Sequence, residues 1–206
     1  LSYKPDAAAL LRKELAKPNY TCAPIALGIN TDAWQPIERR LGVTRSILEV
    51  LAECQHPVSV ITKSALVLRD LDLLVPMAEK NLLHVAISIT TLDAQIARTM
   101  EPRAASPQRR LAVMRELTAA GISVTVLVAP LIPALTDHEL EKIMEAAAQA
   151  GATSAEYITL RLPHEVKPLF HDWLQRNQPG RTEHVYSLLR QMHGGKEYDS
   201  RFGQRQ

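Results

Sequence analysis

Residues 83–89 read Leu83-His84-Val85-Ala86-Ile87-Ser88-Ile89, a short apolar run rich in β-branched residues. A run of this length predicts a strand, and its near-continuous apolar character is typical of strands that are buried on both faces. Similar runs lie before and after it along the chain. They occupy residues 24–29, 57–61, 122–129 and 156–162.

Amphipathic segments separate the predicted strands. Ile47, Val50, Leu51 and Cys54 recur at helical spacing, and residues 71–78 and 140–147 repeat the pattern. Ser106-Pro107 predicts one helix start, and the capping box Thr136-Asp137-His138-Glu139 predicts another. Each of these helices can therefore cover one side of a sheet.

The alternation of strands and helices indicates an α/β fold built from βα units around a parallel sheet. A helix is also predicted from Asp6 to Leu15, before the first predicted strand. Adding a strand ahead of that helix gives six units. We therefore expect a partial (β/α)6 TIM-like barrel of parallel strands, with its first strand missing from the chain. Residues 1–206 should form one domain that includes a C-terminal helix and tail at about 181–206.

Composition excludes several classes of protein. The net charge is +2 and no dense basic stripe is present, so charge gives no support for a nucleic-acid partner. No apolar run approaches the ~20 residues that span a bilayer, and no signal peptide is recognisable, so we expect a cytoplasmic protein without a membrane partner. Cys22 and Cys54 form no CxxC pair, and we expect both to be buried as small apolar residues.

Polar side chains cluster where the predicted strands end, which is where parallel α/β folds bind ligands. These candidate site residues are Asn30, Thr31, Asp32, Lys63, Ser64 and Ser88. A zwitterionic amino acid needs a carboxylate for its ammonium group and a cation for its carboxylate, and Asp32 and Lys63 offer this pair. Asp32 could instead cap a turn, and Lys63 could be a solvated loop residue.

Arg161 stands inside an otherwise apolar predicted strand, Leu160-Arg161-Leu162. A guanidinium there must find a carboxylate, a phosphate or a ligand. Glu101 or Glu165 could also satisfy it in a structural salt bridge.

Four strand ends carry the segments Leu27-Gly28-Ile29-Asn30-Thr31-Asp32, Val60-Ile61-Thr62-Lys63-Ser64, Ala86-Ile87-Ser88-Ile89-Thr90 and Leu127-Val128-Ala129-Pro130. With Glu101-Pro102-Arg103, Arg109-Arg110 and Ala120-Gly121, this ordered set resembles radical S-adenosylmethionine (SAM) proteins of the spore-photoproduct-lyase-like branch. The tail, which includes Gly194-Gly195-Lys196-Glu197-Tyr198-Asp199, resembles an uncharacterised bacterial subgroup of that branch.

The resemblance implies an enzyme that cleaves SAM reductively and abstracts hydrogen from a substrate with a 5′-deoxyadenosyl radical. It implies a [4Fe–4S] cluster on a CxxxCxxC loop and a reductase or flavodoxin-like electron donor. It places Thr31, Asp32, Lys63, Ser64 and Ser88 at the methionine part of SAM, and Arg161 near the adenosine or the substrate. The chain contains no CxxxCxxC, so we expect these residues alone to form no cluster and to be inactive.

Two other functions remain open from the residues. A Schiff-base aldolase would use Lys63 as a nucleophile with a lowered pKa. A non-catalytic nucleic-acid-binding module would fit the mild basicity, although no aromatic or basic stripe supports it.

Overall fold

The computed structural model describes residues 3–192 and 194–196. A parallel sheet forms its centre, and its strands are β1 (Ile25–Leu27), β2 (Val58–Thr62), β3 (Leu83–Ser88), β4 (Val124–Leu131) and β5 (Ser154–Thr159). Spatial order follows chain order, and each strand pairs in parallel with the next. The predicted α/β fold with a partial-barrel sheet is therefore confirmed.

Helices connect the strands and follow the last one. They are α1 (Ala7–Leu15), α2 (Glu38–Leu41), α3 (Val43–Glu53), α4 (Leu71–Glu79), α5 (Ala94–Met100), α6 (Pro107–Ala119), α7 (Leu140–Gln149), α8 (Val166–Asn177) and α9 (Thr182–Met192). Short 3₁₀ segments occupy Ala65–Asp70, Asp137–Glu139 and Pro179–Arg181.

Both predicted helix starts are confirmed in position, since Thr136 directly precedes the 3₁₀ turn that leads into α7, but the predicted capping box at Thr136 is wrong. Ser106 caps α6, accepting a hydrogen bond from the Arg109 amide at 3.2 Å. The Thr136 hydroxyl instead accepts from the Ile132 amide at 3.0 Å. The Glu139 carboxylate reaches away from its own helix to the Thr91 hydroxyl, at 2.6 Å. A tertiary partner thus replaces the local capping box.

The two faces of the sheet differ in chemistry. Alternate residues of β2, β3 and β4, all valine or isoleucine, are buried with the apolar faces of α3, α4, α6 and α7. The opposite face carries a polar row of cross-strand hydrogen bonds: Ser59 to His84 at 3.2 Å, His84 to Thr125 at 2.9 Å and Thr125 to Ser154 at 2.6 Å. His84 and Ser154, near the amino ends of their strands, are exposed, whereas Ala86, Ser88 and Leu127 farther along the same face are buried.

β5 departs from the predicted burial. Its residues are exposed up to Thr159, with Tyr157 63% and Ile158 50% exposed, because β5 pairs only with β4. The strand also begins and ends earlier than predicted. Arg161 therefore lies beyond the strand and is only partly buried, which corrects its placement inside an apolar strand.

A second apolar cluster packs α8 and α9 against the segments that follow β4 and β5. It includes Ile132, Leu135, Leu160, Leu162, Phe170, Leu174, Val185 and Leu189. The predicted C-terminal helix is α9, and the resemblance of the tail at residues 197–206 falls outside the described residues.

Two further observations concern the ends of the fold. Cys22 and Cys54 are both exposed, so their predicted burial is wrong. Cys22 lies in the irregular segment before β1, and Cys54 follows the last residue of α3. Across residues 3–192 and 194–196, the structure contains no helix of the length and apolarity that a bilayer span needs.

Candidate functional site

The close approach of β1 to β2 depends on Gly28. This residue has φ of 92°, a region that side chains disfavour, and a Cβ atom built on it would lie 1.9 Å from the Ile61 carbonyl oxygen. Only glycine lets the chain leave β1 at this angle. The segment that follows, with Asn30, Thr31 and Asp32, is thereby brought to the carboxyl end of β2.

Asp32 bridges the ends of β1 and β2. Its carboxylate accepts hydrogen bonds from the Thr62 hydroxyl at 2.8 Å, from the Lys63 amide at 2.8 Å and from the Trp34 amide at 2.9 Å. It therefore performs the turn-capping role that the sequence left open. The same contacts fix a negative charge directly beside the backbone of Lys63.

Lys63 follows β2 and lies among charged groups from two later segments. Its ammonium contacts the Glu101 carboxylate and lies 3.2 Å from the Thr90 hydroxyl. The Lys63 side chain is 25% exposed. An ammonium has three N–H donors, so two of them suffice for these contacts.

Glu101, directly after α5, links Lys63 to a buried guanidinium. Its second oxygen accepts from Arg110 in the first turn of α6, at 2.7 Å. Arg110 is 2% exposed and also donates to the carbonyls of Ala105 at 2.7 Å and Ser88 at 2.9 Å. We name Lys63, Glu101 and Arg110 the Lys63 cluster. It joins the ends of β2 and β3 to α5 and α6.

Burial and charge act in opposite directions on this cluster. Burial lowers the pKa of Lys63, and the neighbouring Glu101 carboxylate only partly offsets that effect. Burial also opposes ionisation of Glu101, but the charges of Lys63 and Arg110 outweigh it and lower the pKa of Glu101. The carboxylate is therefore ionised at neutral pH.

The hydroxyl groups at the ends of β2 and β3 form hydrogen bonds to the backbone. The Ser64 hydroxyl accepts from the Leu66 amide at 3.2 Å and caps the following 3₁₀ segment. Ser88 and Thr90 both donate to the Ala129 carbonyl, at 3.0 and 2.9 Å, and so tie β3 to β4. These three residues shape the site through the backbone.

The other predicted site residues, Asn30, Thr31 and Arg161, are not members of the Lys63 cluster. Asn30 and Thr31 are exposed in the segment after β1. Arg161 follows β5, at the far edge of the sheet from β1. Hydrogen bonds thus connect Asp32 to Lys63 directly and Lys63 to Ser88 through Glu101 and Arg110, while Arg161 follows the strand at the other edge of the sheet.

A second ionic cluster lies behind the segment that follows β1. Asp70, with no exposed side-chain area, accepts from Trp34 Nε1 at 2.8 Å, from Arg45 at 3.0 Å and from Arg69 at 2.8 Å. Arg69 also binds the buried Glu38 carboxylate at 3.2 Å. We name these five residues the Asp70 cluster. It anchors Trp34, whose amide in turn holds Asp32.

Sequence reasoning did not assign Glu101, Arg110 or Thr90 to the site. The sequence offered Glu101 only as a possible partner of Arg161 and as part of the ordered resemblance, to which Arg110 also belongs, and the two residues lie nine positions apart. Arg110 at the start of a helix gives no signal of burial by itself. Only the fold of the segment between α5 and α6, whose Ala105 amide donates to the Lys63 carbonyl at 3.3 Å, brings them to β2.

A partial α/β barrel with a charged cluster at the carboxyl ends of its strands defines the class of protein. The sequence profile of the Radical SAM superfamily matches residues 9–147, and the chain belongs to that superfamily. It is 35% identical over 189 residues to an uncharacterised protein of Mycobacterium tuberculosis, covering 91% of this chain and 56% of that protein. It is 28% identical over 166 residues to one of Methanocaldococcus jannaschii, covering 81% and 61%. The chain thus spans little more than half the length of these relatives.

Solved structures show the same fold. A spore photoproduct lyase complexed with a dinucleoside spore photoproduct superposes with a TM-score of 0.58 at 17% identity, over 84% of this chain and 50% of that one. The SuiB protein of Streptococcus suis, bound to S-adenosylmethionine, superposes with a TM-score of 0.55 at 11% identity, over 86% and 42%. At these identities the likeness concerns the fold.

The residues fit one of the two groups that the family uses. For the methionine part of SAM, a partly exposed ammonium and a carboxylate lie at adjoining strand ends, a donor set that suits a zwitterion. For an iron–sulfur cluster, the described residues do not fit. No group of three or more His, Cys, Asp or Glu side chains that could hold a metal occurs among them, and both cysteines are exposed away from these strand ends.

Proposed function

We propose that this chain is the SAM-binding core of a radical SAM enzyme. The match to the Radical SAM superfamily over residues 9–147 carries the proposal. When bound, SAM supplies the 5′-deoxyadenosyl radical that abstracts hydrogen from a substrate. The cluster and a reductase or flavodoxin-like donor would provide the electron. We place the cluster cysteines outside the described residues.

In this proposal the chain's own residues hold and orient the methionine part of SAM. Lys63 donates to the carboxylate with the N–H that Thr90 and Glu101 leave available. Asp32 faces the ammonium from the neighbouring strand end, although its three existing hydrogen bonds limit it to a supporting charge. The exposed Asn30 and Thr31 border the same site, and Ser64 and Ser88 hold its backbone. Arg161, which follows β5 at the other edge of the sheet, is assigned to the adenosine part of SAM or to the substrate.

The lysine assignment is tested by Lys63→Ala in the protein expressed with every residue that its gene encodes before Leu1. A charge-assisted hydrogen bond contributes about 1.5–3 kcal/mol, so SAM affinity should fall roughly ten- to a hundredfold by anaerobic calorimetry. The control is Lys80→Ala, an exposed lysine at the end of α4, which should bind as the parent does. Unchanged affinity in Lys63→Ala would contradict the assignment.

The location of the cluster is tested with the 206-residue chain alone. Reconstituted anaerobically with iron and sulfide, it should show no [4Fe–4S] absorption and form no 5′-deoxyadenosine from SAM, since thiolate ligands are required. A stoichiometric cluster spectrum from this chain would contradict the proposal. A CxxxCxxC motif in the coding sequence before Leu1 is the expected genetic counterpart.

The aldolase function gains one observation, the lowered pKa of Lys63. The contact between Lys63 and Glu101 argues against the aldolase function, because the carboxylate favours the charged ammonium over the neutral nucleophile. Borohydride trapping of a carbonyl compound on Lys63 is the result that would favour the aldolase. The likeness to spore photoproduct lyase, at 17% identity, concerns the fold alone and does not indicate the substrate of this chain.

A further inference from the structure

β5 has a free edge in the part of the chain that the structure describes. The strand pairs with β4 alone, and its residues from Ser154 to Ile158 are exposed. In a parallel pair, a strand uses every second residue to bond to one neighbour, so the remaining amides and carbonyls of β5 face the free edge. Unpaired backbone groups in such a row are a template for a further strand.

The side chains of β5 also lack cover on both faces. Tyr157, on the face that helices cover in β2 to β4, is 63% exposed, and Ile158, on the opposite face, is 50% exposed. The helix that follows leaves them uncovered, because α8 buries Phe170 and Leu174 in the second apolar cluster. Glu156 is exposed on the same face as Ile158. A strand that fits this edge therefore needs apolar side chains beside Tyr157 and a cation beside Glu156.

The chain leaves α9 close to the carboxyl end of β5. Residues 178–181 join α8 to α9, and the Tyr186 hydroxyl of α9 lies 3.5 Å from the Lys167 carbonyl in the first turn of α8. Arg190, one turn after Tyr186, lines the same cavity as Lys167. The Gly195 amide then closes the end of α9 by donating to the Arg190 carbonyl at 2.7 Å. α9 thus ends beside the start of α8, and six residues separate α8 from β5.

The residues that follow, which lie outside the described residues, have a sequence typical of a strand. Residues 197–206 read Glu197-Tyr198-Asp199-Ser200-Arg201-Phe202-Gly203-Gln204-Arg205-Gln206. Tyr198, Ser200 and Phe202 alternate with Asp199 and Arg201, which is the period of a strand with one apolar face. Ten extended residues reach up to about 33 Å, and the six residues of β5 span roughly 20 Å. The tail is therefore long enough to cover the edge of β5.

We propose that residues 197–206 pair with the free edge of β5 as an additional antiparallel strand. The tail enters at the carboxyl end of β5 and so runs against it. Arg201 lies beside Glu156, and the two opposite charges fix the register. The pairing also protects an edge that would otherwise bind another chain. This inference goes beyond SAM binding and does not depend on it.

The same register accounts for the other face of β5. When Arg201 lies beside Glu156, Ser200 lies opposite Tyr157, with Tyr198 and Phe202 on either side of it. A small residue opposite the tyrosine leaves room for its ring, and the two aromatic side chains are within diagonal reach of that ring. One register therefore satisfies both the charge and the apolar surface.

The test is hydrogen–deuterium exchange of the segment Ser154–Thr159, measured by mass spectrometry on the protein expressed with every residue that its gene encodes. Consecutive residues of a strand direct their amides to opposite sides, so only one of Asp199 and Ser200 donates to β5. Of Asp199→Pro and Ser200→Pro, one should speed exchange of the segment roughly tenfold and the other much less. Asp199→Ala and Ser200→Ala keep both amides and should exchange as the parent does.

Charge reversal tests the register. Glu156→Arg and Arg201→Glu each place like charges side by side, and each should speed exchange of the segment roughly two- to fivefold. The double variant Glu156→Arg/Arg201→Glu restores opposite charges and should return the rate to within about twofold of the parent. Arg205→Glu is the control, because this register places it beyond the first residue of β5, and it should match the parent.

Three results would overturn the proposal. Equal rates in the parent and both proline variants would mean that the tail does not cover the edge. Equal acceleration by both proline variants would mean that the tail contacts β5 without pairing as a strand. Protection that rises with protein concentration would assign the edge to a second copy of the chain. None of these measurements involves SAM, so their failure would leave the proposed function untouched. β5 should still exchange before β3, because the added strand is itself an edge.

Discussion

The two ionic clusters near the segment after β1 share their chemistry but differ in exposure. In the Asp70 cluster, two buried carboxylates, Glu38 and Asp70, meet two guanidiniums, Arg45 and Arg69. In the Lys63 cluster, Glu101 meets Lys63 and Arg110. Asp70, which joins its cluster together, has no exposed side-chain area, whereas Lys63 keeps 25% of its side chain exposed. The difference separates an anchor for the fold from a group that a ligand can reach.

Gly28→Ala should have the largest effect, because it disturbs both clusters through the segment that carries Asp32 and Trp34. A methyl group would lie 1.9 Å from the Ile61 carbonyl oxygen, so β1 must move away from β2. We expect a loss of about 4 kcal/mol or more in the free energy of unfolding, measured by urea denaturation. Gly180→Ala, where nothing lies within 4 Å of the added Cβ, is the control. Similar stabilities of the two variants would contradict the structure.

Asp70→Ala should destabilise the fold by about 3 kcal/mol, near the lower end for breaking a buried ion pair. Arg45 and Arg69 can turn partly to solvent, but the indole N–H of Trp34, which is 1% exposed, loses its acceptor. The measurement is again urea denaturation. Asp72→Ala removes an exposed carboxylate that also binds Arg45 and should cost less than about 1 kcal/mol. Equal losses would show that Asp70 is no anchor.

Acid should weaken both clusters. Burial opposes ionisation of Asp70, but hydrogen bonds from Arg69, Trp34 and Arg45 outweigh it and hold the pKa of Asp70 below its usual value. The pKa of Glu101 is lowered as well. A carboxyl group with a lower pKa in the folded state stabilises the fold above its unfolded pKa, and this stability is lost as pH falls through the folded pKa. The loss should begin near the ordinary carboxyl value of about 4.

Urea midpoints measured from neutral to acid pH check this expectation. Asp70→Asn removes one of the two shifted groups, so its midpoints should depend less on pH than those of the parent. Identical slopes in the two proteins would mean that Asp70 does not contribute to the acid dependence.

Lys63→Ala should cost least, about 1 kcal/mol in the free energy of unfolding. Glu101 keeps its 2.7 Å bond to Arg110, so the substitution leaves the carboxylate paired. Urea denaturation beside Asp70→Ala sharpens the comparison between the clusters. A loss as large as that of Asp70→Ala would place Lys63 among the anchors of the fold.

The sequence predicted β1 to β4 as parallel strands because each carries a short apolar run. It overestimated the burial of β5, since a run such as Tyr157-Ile158 looks the same at an edge as at the centre of a sheet. The placement of Arg161 failed for the same reason. Strand boundaries depend on pairing with a neighbour, which a single run does not show.

The site was predicted in part. Lys63 directly follows β2, Ser88 is the last residue of β3, and Asp32 lies in the segment after β1, so the strand positions indicate where these residues lie. Glu101 and Arg110 come from the segment between two helices, and their meeting with Lys63 depends on contacts over 38 and nine residues of chain. The exposure of Cys22 and Cys54 was missed because cysteine is usually buried and the local pattern gave no contrary signal.

The order of the strands in the sheet also determines which strands open first. β3 lies between β2 and β4 with its last four residues buried, whereas β1 and β5 each have one neighbouring strand. Local opening can begin at either edge without disturbing the centre. Amide hydrogens should therefore exchange with deuterium first in β5 and β1, and last in β3, where the Val85, Ala86 and Ile87 amides will report the opening of the whole domain.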